Sequence, residues 1–246
     1  MSSYVSLAPF YDGLMPEEDY LLWADCCEQL FRPRGIHTVL DLACGTGTLS
    51  WLLADRGFEV IGVDLSCDML AAAMEKAQAH PGVTAPLFLN QALGELDLYG
   101  TVQAAVCSMD SVNYLDEPEL VEALRRLRLF LEPWGILLLD FNTPEKFRRM
   151  DGEAFVSESE DAFCVWRAET EEDEGICTYW MDVFFREGDL WRREEEEHTE
   201  YIYSPEKLQA LLTAAGFPEP KLYAGLPLRP AQGGEERLFC LCGAEV

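Results

Sequence analysis

The stretch from Val39 to Ser50 reads Val-Leu-Asp-Leu-Ala-Cys-Gly-Thr-Gly-Thr-Leu-Ser. It begins as an apolar run, turns on Gly45 and Gly47, and then enters a helical pattern. A second apolar run ends on Asp64, which follows Gly45 by 19 residues (64 − 45). A buried strand, a glycine turn, a helix and a strand-end acid about 20 residues further on are typical of a nucleotide-binding cleft. The sequence therefore predicts such a cleft at the carboxyl ends of two neighbouring parallel strands.

Composition limits both the fold and the partners. The chain has 246 residues, of which 49% are hydrophobic, and this suits one large α/β domain or one domain with an insertion. Lys and Arg number 18 against 45 Asp and Glu, which gives a net charge of −27. Such a field repels phosphate backbones and anionic lipid, so we expect neither nucleic acid nor a membrane as partner. A cationic or neutral small molecule fits the charge better, and the oligomeric state stays open.

The nine cysteines indicate a reducing compartment. Their number is odd, they are scattered along the chain, and no Cys-x-x-Cys spacing occurs. Neither a disulfide framework nor a metal site is therefore expected. The amino terminus shows no basic segment followed by an apolar one, and no apolar stretch approaches the roughly 18 residues that span a bilayer. We expect a cytoplasmic protein with reduced thiols and without a metal.

Strand-like and helix-like patterns alternate between Thr38 and Phe141. The strand-like runs are apolar almost throughout, and helical stripes of apolar residues separate them. Continuous apolar strands separated by helices indicate a parallel sheet that is covered on both faces. The predicted strands of this part are residues 39–42, 59–64, 86–90, 104–108 and 136–141.

The pattern changes after Pro144. From Phe155 to Tyr203, β-branched, aromatic and charged residues lie between turn signals, which indicates three or four antiparallel strands joined by hairpins. A helix after Ser204 and two closing strands, Lys221–Ala224 and Arg237–Cys242, then resume the first pattern. The sequence thus predicts an α/β fold with a Rossmann-like, doubly wound and mostly parallel sheet of seven strands. Residues 1–144, completed by 204–246, would form the cofactor-binding domain, and residues 145–203 a small antiparallel β insertion.

The glycine turn departs from two common nucleotide motifs. The dinucleotide fingerprint Gly-x-Gly-x-x-Gly is not met, because Ser50 stands at the place of the third glycine. A phosphate loop would need Gly-Lys-Ser or Gly-Lys-Thr, and the sequence contains neither. An NAD-type oxidoreductase is therefore an alternative with an incomplete fingerprint.

The residues around the turn resemble a known family. Asp41–Gly47 resembles the first motif of class I S-adenosylmethionine-dependent methyltransferases, and Val63–Leu70 resembles the second. Ser108–Leu115, Tyr11–Met15 and Glu236–Leu238 are similar to segments of a small-molecule subgroup with a β insertion after strand five. The resemblance implies S-adenosyl-L-methionine as cofactor, a small-molecule acceptor, and an insertion that acts as a substrate lid.

The resemblance also implies a set of cofactor-binding residues. They are Tyr11, Asp41, Ala43, Cys44, Gly45, Thr46, Gly47, Asp64, Leu65, Met69, Ala92, Leu93 and Met109. Gly45 and its neighbours would hold the methionine moiety, and Asp64 would bind the ribose diol. Leu65 and Met69 would pack on the adenine.

The chain departs from the family at Ala92, where the family usually has an acid. The side-chain contact with the adenine amino group would then be lost. Backbone groups of Ala92 and Leu93, or the side chain of Glu95, would replace it. This substitution bears on cofactor affinity more than on cofactor identity.

The chemistry of methyl transfer asks little of the protein's side chains. The sulfonium leaves as a neutral thioether, so no acid is required, and a base matters only when the nucleophile must lose a proton. His198, on the insertion, and Tyr11 are the candidate catalytic residues, although a structural histidine on a strand is the alternative for His198. Tyr11, Asn113 and Tyr114 are candidates for orienting a substrate, or else packing and turn residues.

Other interpretations of the sequence stay open. A non-catalytic S-adenosylmethionine-binding protein is the third hypothesis, because Ala92 breaks the family pattern and no side chain is an obvious base. Arg229 and Arg237 would form salt bridges with the acidic surface, or pair with a substrate carboxylate. Neither the acceptor nor the acceptor atom follows from the sequence.

Overall fold

A computed structural model describes residues 8 and 10–243 of the chain, and within them the strands form two sheets. The central sheet contains β1 (Thr38–Leu42), β2 (Glu59–Asp64), β3 (Leu87–Asn90), β4 (Val102–Cys107) and β5 (Leu131–Asn142). The second sheet, called the insertion sheet below, contains β6 (Ala154–Glu158), β7 (Ala162–Glu171), β8 (Ile176–Glu187) and β9 (Leu190–Tyr201). The chain then returns to the central sheet with β10 (Lys221–Ala224), β11 (Arg229–Pro230) and β12 (Arg237–Cys242).

The strand order of the central sheet places a crevice beside β1. The order is β11-β10-β12-β5-β4-β1-β2-β3, and β1 to β5 pair with one another in parallel. The chain moves outward from β1 through β2 to β3, and then crosses to the other side of β1 to form β4. Ligands of such sheets bind at the carboxyl ends of the strands where the order reverses. The topology therefore directs attention to the ends of β1, β2 and β4.

Helices cover both faces of the central sheet, as expected for a doubly wound fold. They are α1 (Tyr11–Leu14), α2 (Glu17–Phe31), α3 (Thr48–Asp55), α4 (Cys67–Glu75), α5 (Glu117–Phe130), α6 (Pro144–Met150) and α7 (Pro205–Ala214). On one face, Trp23 and Leu53 bury their side chains against the sheet from α2 and α3. On the other face, Leu124 and Leu208 do so from α5 and α7. The apolar helix stripes of the sequence thus become two separate cores, and the predicted fold class is confirmed.

The insertion sheet is antiparallel and has the order β6-β7-β8-β9. Alternate residues of β7 and β8 are buried, because the sheet turns one face toward the rest of the molecule. Phe185 on that face stacks on Phe10, with ring centroids 4.4 Å apart. Its inner face therefore packs against the segment that contains α1.

Three elements differ from the prediction. β5 begins at Leu131 rather than Ile136, although Pro133 and Gly135 resemble a stop, because Leu131 still pairs with β4 across a register irregularity. The two-residue strand β11 is an eighth member of the central sheet, beyond the predicted seven, and it is too short to leave a periodic pattern. The helix α6, at the start of the predicted insertion, was not predicted either.

The domain boundaries stay a prediction, and residues 1–7, 9 and 244–246 of the predicted core domain lie outside the described residues. None of the helices within the described part of the chain is long and apolar enough to cross a membrane.

Candidate active site

A large cleft opens at the carboxyl ends of β1, β2 and β4, and β9 of the insertion sheet forms part of its wall. Its volume is about 1210 Å³. The predicted site residues that line it are Tyr11, Ala43, Cys44, Gly45, Asp64, Leu65, Met69, Ala92, Leu93, Met109 and His198. The structure thus brings together residues from α1, from the ends of the four strands β1 to β4, and from the insertion.

The loop between β1 and α3 has a backbone that only particular residues tolerate. Ala43, Gly45 and Gly47 all have positive φ angles, of 53°, 54° and 69°. A Cβ on Gly47 would lie 2.8 Å from Cζ of Phe88 and 2.9 Å from Cβ of Ala73, so no larger residue fits without a shift. A Cβ on Gly45 would meet no atom within 4 Å. The backbone conformation therefore favours a glycine at position 45, and the space beside it belongs to the cleft.

Asp64 ties the end of β2 to this loop. Its Oδ2 accepts a hydrogen bond from the backbone amide of Gly45 at 2.8 Å, and its Oδ1 accepts one from the amide of Ser66 at 2.8 Å. Burial raises the pKa of Asp64, while the amides of Ser66 and Gly45 oppose the rise. A carboxylate has about four lone-pair sites, so Asp64 can still accept a further donor beside these amides. A vicinal diol offers two such donors at suitable spacing.

Three predicted cofactor residues lie behind the cleft wall rather than in it. Asp41 is 1% exposed, and its Oδ2 accepts a hydrogen bond from the Ser50 hydroxyl at 2.5 Å. Its Oδ1 has no hydrogen-bond partner among the described residues, and burial raises its pKa to about 7. Thr46 directs its hydroxyl to Asp12, and Gly47 forms the turn into α3. Direct contact of these three residues with a cofactor stays a prediction.

Tyr11 is held over the loop by its neighbour Asp12. The Asp12 carboxylate accepts hydrogen bonds from the Thr46 and Thr48 hydroxyls at 2.6 and 3.1 Å, and lies 2.6 Å from Nζ of Lys76. Burial raises the pKa of Tyr11 to about 12, and Tyr20 is its hydrogen-bond partner. The phenol of Tyr11 therefore stays protonated near neutral pH, which suits a hydrogen-bond donor better than a base.

His198 reaches the cleft from β9. It is 2% exposed, its Nε2 lies 2.9 Å from Oε2 of Glu196, and its ring meets the edge of Tyr114 at a centroid distance of 6.1 Å. Tyr114 and Glu196 also line the cleft. The structure thus places the predicted base beside the cleft together with Tyr11, and its catalytic role stays a prediction.

Asn113, predicted as a substrate-orienting candidate, lies outside the cleft. Its Nδ2 donates to the backbone oxygen of Tyr201 at 2.9 Å, and its Oδ1 accepts from the amide of Asn142 at 2.8 Å. These bonds fasten the end of β9 to the end of β5. The turn and packing interpretation therefore describes Asn113 better than a substrate contact.

A buried charged network at the ends of β4 and β5 was missed by the sequence reasoning. Arg237 donates to Asp110 at 2.6 Å and to Asp140 at 2.9 Å, so it does not form the expected surface salt bridge. Asn142 donates to Asp110 at 2.6 Å and to Glu200 on β9 at 3.0 Å. The available signal was that Asp140 is the acid inside an otherwise apolar strand pattern. Arg229, the other arginine considered, lies exposed in β11.

Burial and neighbouring charges give the acids of this network different pKa values. Burial raises the pKa of Glu200 to about 8, and the charge of Asp110 adds to the rise. Burial likewise raises the pKa of Asp140 to about 6, although Arg237 opposes it. Burial would also raise the pKa of Asp110, but Arg237, Lys146 and the hydrogen bond from Asn142 together outweigh it and hold that pKa below its usual range. Asp110 is therefore the most acidic group of this network and carries a negative charge opposite Arg237.

The wall of the cleft is acidic. Its carboxylates beyond Asp64 are Glu95, Glu119, Glu122, Glu195, Glu196 and Glu197. Within the described part of the chain, no Lys or Arg belongs to this lining. The cleft therefore offers no Lys or Arg side chain to pair with an anionic group, and several carboxylates to pair with a cationic one.

Comparisons with known proteins agree with this geometry. The family model described as "Methyltransferase domain" matches residues 39–135. The protein named "Putative methyltransferase YqeM" from Bacillus subtilis (strain 168) is 32% identical over 239 residues, which cover 96% of this chain and 95% of that protein. A solved S-adenosylmethionine-dependent methyltransferase from Clostridium acetobutylicum is 24% identical with a TM-score of 0.85, over 97% of this chain and 98% of the other. The sugar N-methyltransferase KedS8 from Streptoalloteichus is 25% identical with a TM-score of 0.76, over 98% and 93%.

These findings identify the class of protein. The chain belongs to the class I S-adenosylmethionine-dependent methyltransferases. It is thus an enzyme whose cofactor is S-adenosylmethionine, which sets aside the nicotinamide-dependent and the non-catalytic alternatives.

Proposed function

We propose that this enzyme transfers the methyl group to a small, neutral or cationic acceptor, by in-line displacement within the cleft. The observation that carries the proposal is the lining of the cleft. Asp64 and the glycine loop occupy one part, and the remaining wall carries glutamates without Lys or Arg among the described residues. Such a wall disfavours acceptors that bear a carboxylate or phosphate. The similarity to KedS8, a sugar N-methyltransferase, supports a small acceptor.

The residues at the ends of β1, β2 and β3 fit the cofactor. Asp64 keeps acceptor capacity for the ribose hydroxyls beyond its bonds to Gly45 and Ser66. Leu65 is 59% exposed although it is apolar, and a bound adenine would cover it. Ala92, Leu93 and Glu95 line the same cleft as this leucine. The bound cofactor supplies a methyl group that its sulfonium makes electrophilic.

Positioning accounts for most of the rate in this proposal. Holding a nucleophile in line can supply about 7–11 kcal/mol, so no strong acid or base is required. Tyr11, protonated at neutral pH, donates a hydrogen bond to the acceptor. His198 takes the proton of an acceptor that arrives as an ammonium ion, and Glu196 orients its ring. The β insertion, residues 145–203, acts as a lid that carries His198 over the cleft.

The same reasoning gives the organisation and location that we propose. Residues 1–144 and 204–246 form the cofactor-binding unit. The nine cysteines are unbonded thiols, and seven of them lie buried, which supports a reducing cytoplasm.

Turnover with methyl-labelled cofactor tests the proposal. The enzyme is incubated with matched amines, phenols, alcohols and carboxylates of the same carbon skeletons, and labelled product is counted. We expect label to pass to amines or neutral hydroxyls and not to the matched carboxylates. Transfer that is restricted to carboxylates would contradict the proposal.

A further inference from the structure

Two consecutive residues at the end of β4 hold a backbone conformation that side chains disfavour. Met109 and Asp110 have φ angles of 57° and 53°, in the left-handed region. Residues with a Cβ persist there only where their surroundings hold them. Met109 and its neighbour Ser108 line the cleft, so the unfavourable turn forms part of its wall.

Asp110 is held at three of its atoms. Its backbone amide donates to Oδ1 of Asp140 at 3.0 Å. Its Oδ1 accepts from Arg237 at 2.6 Å, and its Oδ2 accepts from Nδ2 of Asn142 at 2.6 Å. Together these bonds fix both the peptide plane and the side chain of Asp110.

Arg237 is the member that joins the parts of this arrangement. One of its guanidinium nitrogens donates to Asp110 and the other to Asp140, which is fully buried. The nitrogen that contacts Asp140 also lies 3.9 Å from Sδ of Met109. Arg237 is the first residue of β12 and pairs with Asn142 of β5. A rigid strand therefore carries the guanidinium to the turn.

The turn lies next to the glycine loop between β1 and α3, which is called the cofactor loop below. β4 and β1 are neighbours in the sheet, and Cys107, two residues before Met109, pairs with Leu42, directly before the loop. A change in the Met109–Asp110 backbone would therefore alter the wall of the cleft beside the loop.

We propose that Arg237 is a positioning residue of the methyltransferase site. By bridging Asp110 and Asp140 it holds the left-handed turn, and the turn keeps Met109 in the wall of the cleft beside the cofactor loop. This inference rests on the proposed function for the use of the cleft, and goes beyond it in assigning a role to a residue outside the cleft.

The first test compares Arg237→Gln with Arg149→Gln. Arg149 pairs with Glu236 at 2.7 Å in an exposed position at the same edge, so it controls for the loss of an arginine and an ion pair. The readouts are the affinity for S-adenosylhomocysteine by calorimetry, and the methyl signal of Met109 in protein labelled with 13C-methyl methionine, assigned through Met109→Leu. We expect Arg237→Gln to move or broaden the Met109 signal and to weaken binding about tenfold or more. Arg149→Gln should change neither.

A second pair of variants separates backbone strain from charge. Arg237→Gln/Asp110→Gly and Arg237→Gln/Asp110→Asn both remove the acid that Arg237 neutralised. Only the glycine also removes the Cβ that disfavours a positive φ. We expect the glycine variant to recover the Met109 signal and the affinity, and the asparagine variant to recover less. Arg237→Lys keeps the charge but loses the simultaneous contact with two carboxylates. We expect its affinity and its Met109 signal to lie between those of Arg237→Gln and of the wild type. It replaces Arg237→Gln in the test if that variant does not fold.

Two results would overturn the proposal. One is that Arg237→Gln lowers the melting temperature but leaves the Met109 signal and the affinity as in the wild type. The other is that the glycine and asparagine variants behave alike. If the wild type bound no S-adenosylhomocysteine, the proposed function would fail, but the Met109 signal of the free protein would still test the role of Arg237.

Discussion

Oδ2 of Asp64 accepts a hydrogen bond from the backbone amide of Gly45 at 2.8 Å, across the gap between the ends of β2 and β1. One carboxylate thus closes the glycine loop and retains lone pairs for a ligand. Because the amide is part of the loop, the state of Asp64 and the shape of the loop depend on each other. The account of the cofactor site rests on this contact.

Replacement of Asp64 by Ala is expected to abolish cofactor binding while the fold persists. The variant loses two charge-assisted bonds to the ribose, and we expect the affinity for S-adenosylmethionine to fall at least about 100-fold. Isothermal titration calorimetry measures the change, and circular dichroism checks the fold. Asp68→Ala is the control, because Asp68 is an exposed acid on the same segment. Equal affinity in the Asp64 variant and the wild type would remove the ribose assignment.

Replacement of Asp41 by Asn should stabilise the protein at alkaline pH. Burial raises the pKa of Asp41 to about 7, so between about pH 4 and 7 the folded state binds more protons than the unfolded state. Its stability therefore falls as the pH rises through this window, and the loss is complete above pH 7. Asparagine keeps the acceptor for Ser50 without the charge, and the shift implies a gain of at most roughly 4 kcal/mol at pH 8. Urea unfolding at pH 5 and pH 8 measures it, and a gain that is no larger at pH 8 would contradict the buried charge.

Replacement of Gly47 by Ala should destabilise the protein more than replacement of Gly57. Both glycines have positive φ angles, of 69° and 85°. Only at Gly47 would the new Cβ also collide, with Phe88 and Ala73, whereas none lies within 4 Å at Gly57. We expect a loss of about 1–2 kcal/mol at Gly57 and about 2–5 kcal/mol at Gly47 in the free energy of unfolding. Equal losses in urea titrations would show that the close packing around Gly47 is not as described.

Replacement of His198 by Gln should slow methyl transfer to an amine without changing the affinity for the cofactor. A general base contributes about 100-fold or more, so turnover should fall by that factor while the affinity for S-adenosylhomocysteine stays as in the wild type. The loss should shrink as the pH rises and the acceptor loses its proton in solution. His80→Gln is the matched control, since His80 pairs with Asp55 and does not line the cleft. Wild-type turnover in the His198 variant would leave that residue with a structural role.

Local patterns predicted the elements that carry periodic or punctuated signals. β2 runs from Glu59 to Asp64, as the sequence predicted, because an apolar run between Gly57 and a strand-end acid is a strong local signal. The spacing of Gly45 and Asp64 predicted the cleft, and the resemblance to the methyltransferases implied its other residues after β1 and β2. These parts of the site depend on neighbours in sequence.

Contacts between distant residues left no such signal. Arg237 and Asp110 are 127 positions apart, and nothing in either segment indicates that they pair inside the protein. The sequence also contains no signal for the left-handed backbone at Met109 and Asp110, because neither residue is a glycine. Tertiary contacts determine these features, so they could not be predicted from the sequence pattern alone.

A crystal structure of the protein soaked with S-adenosylhomocysteine tests the central claim most directly. The account predicts adenosine in the cleft, with the two ribose hydroxyls donating to the two carboxylate oxygens of Asp64. It also predicts that the amides of Gly45 and Ser66 keep their bonds to the same carboxylate. An adenosine bound elsewhere, or ribose hydroxyls out of hydrogen-bond reach of Asp64, would contradict the account.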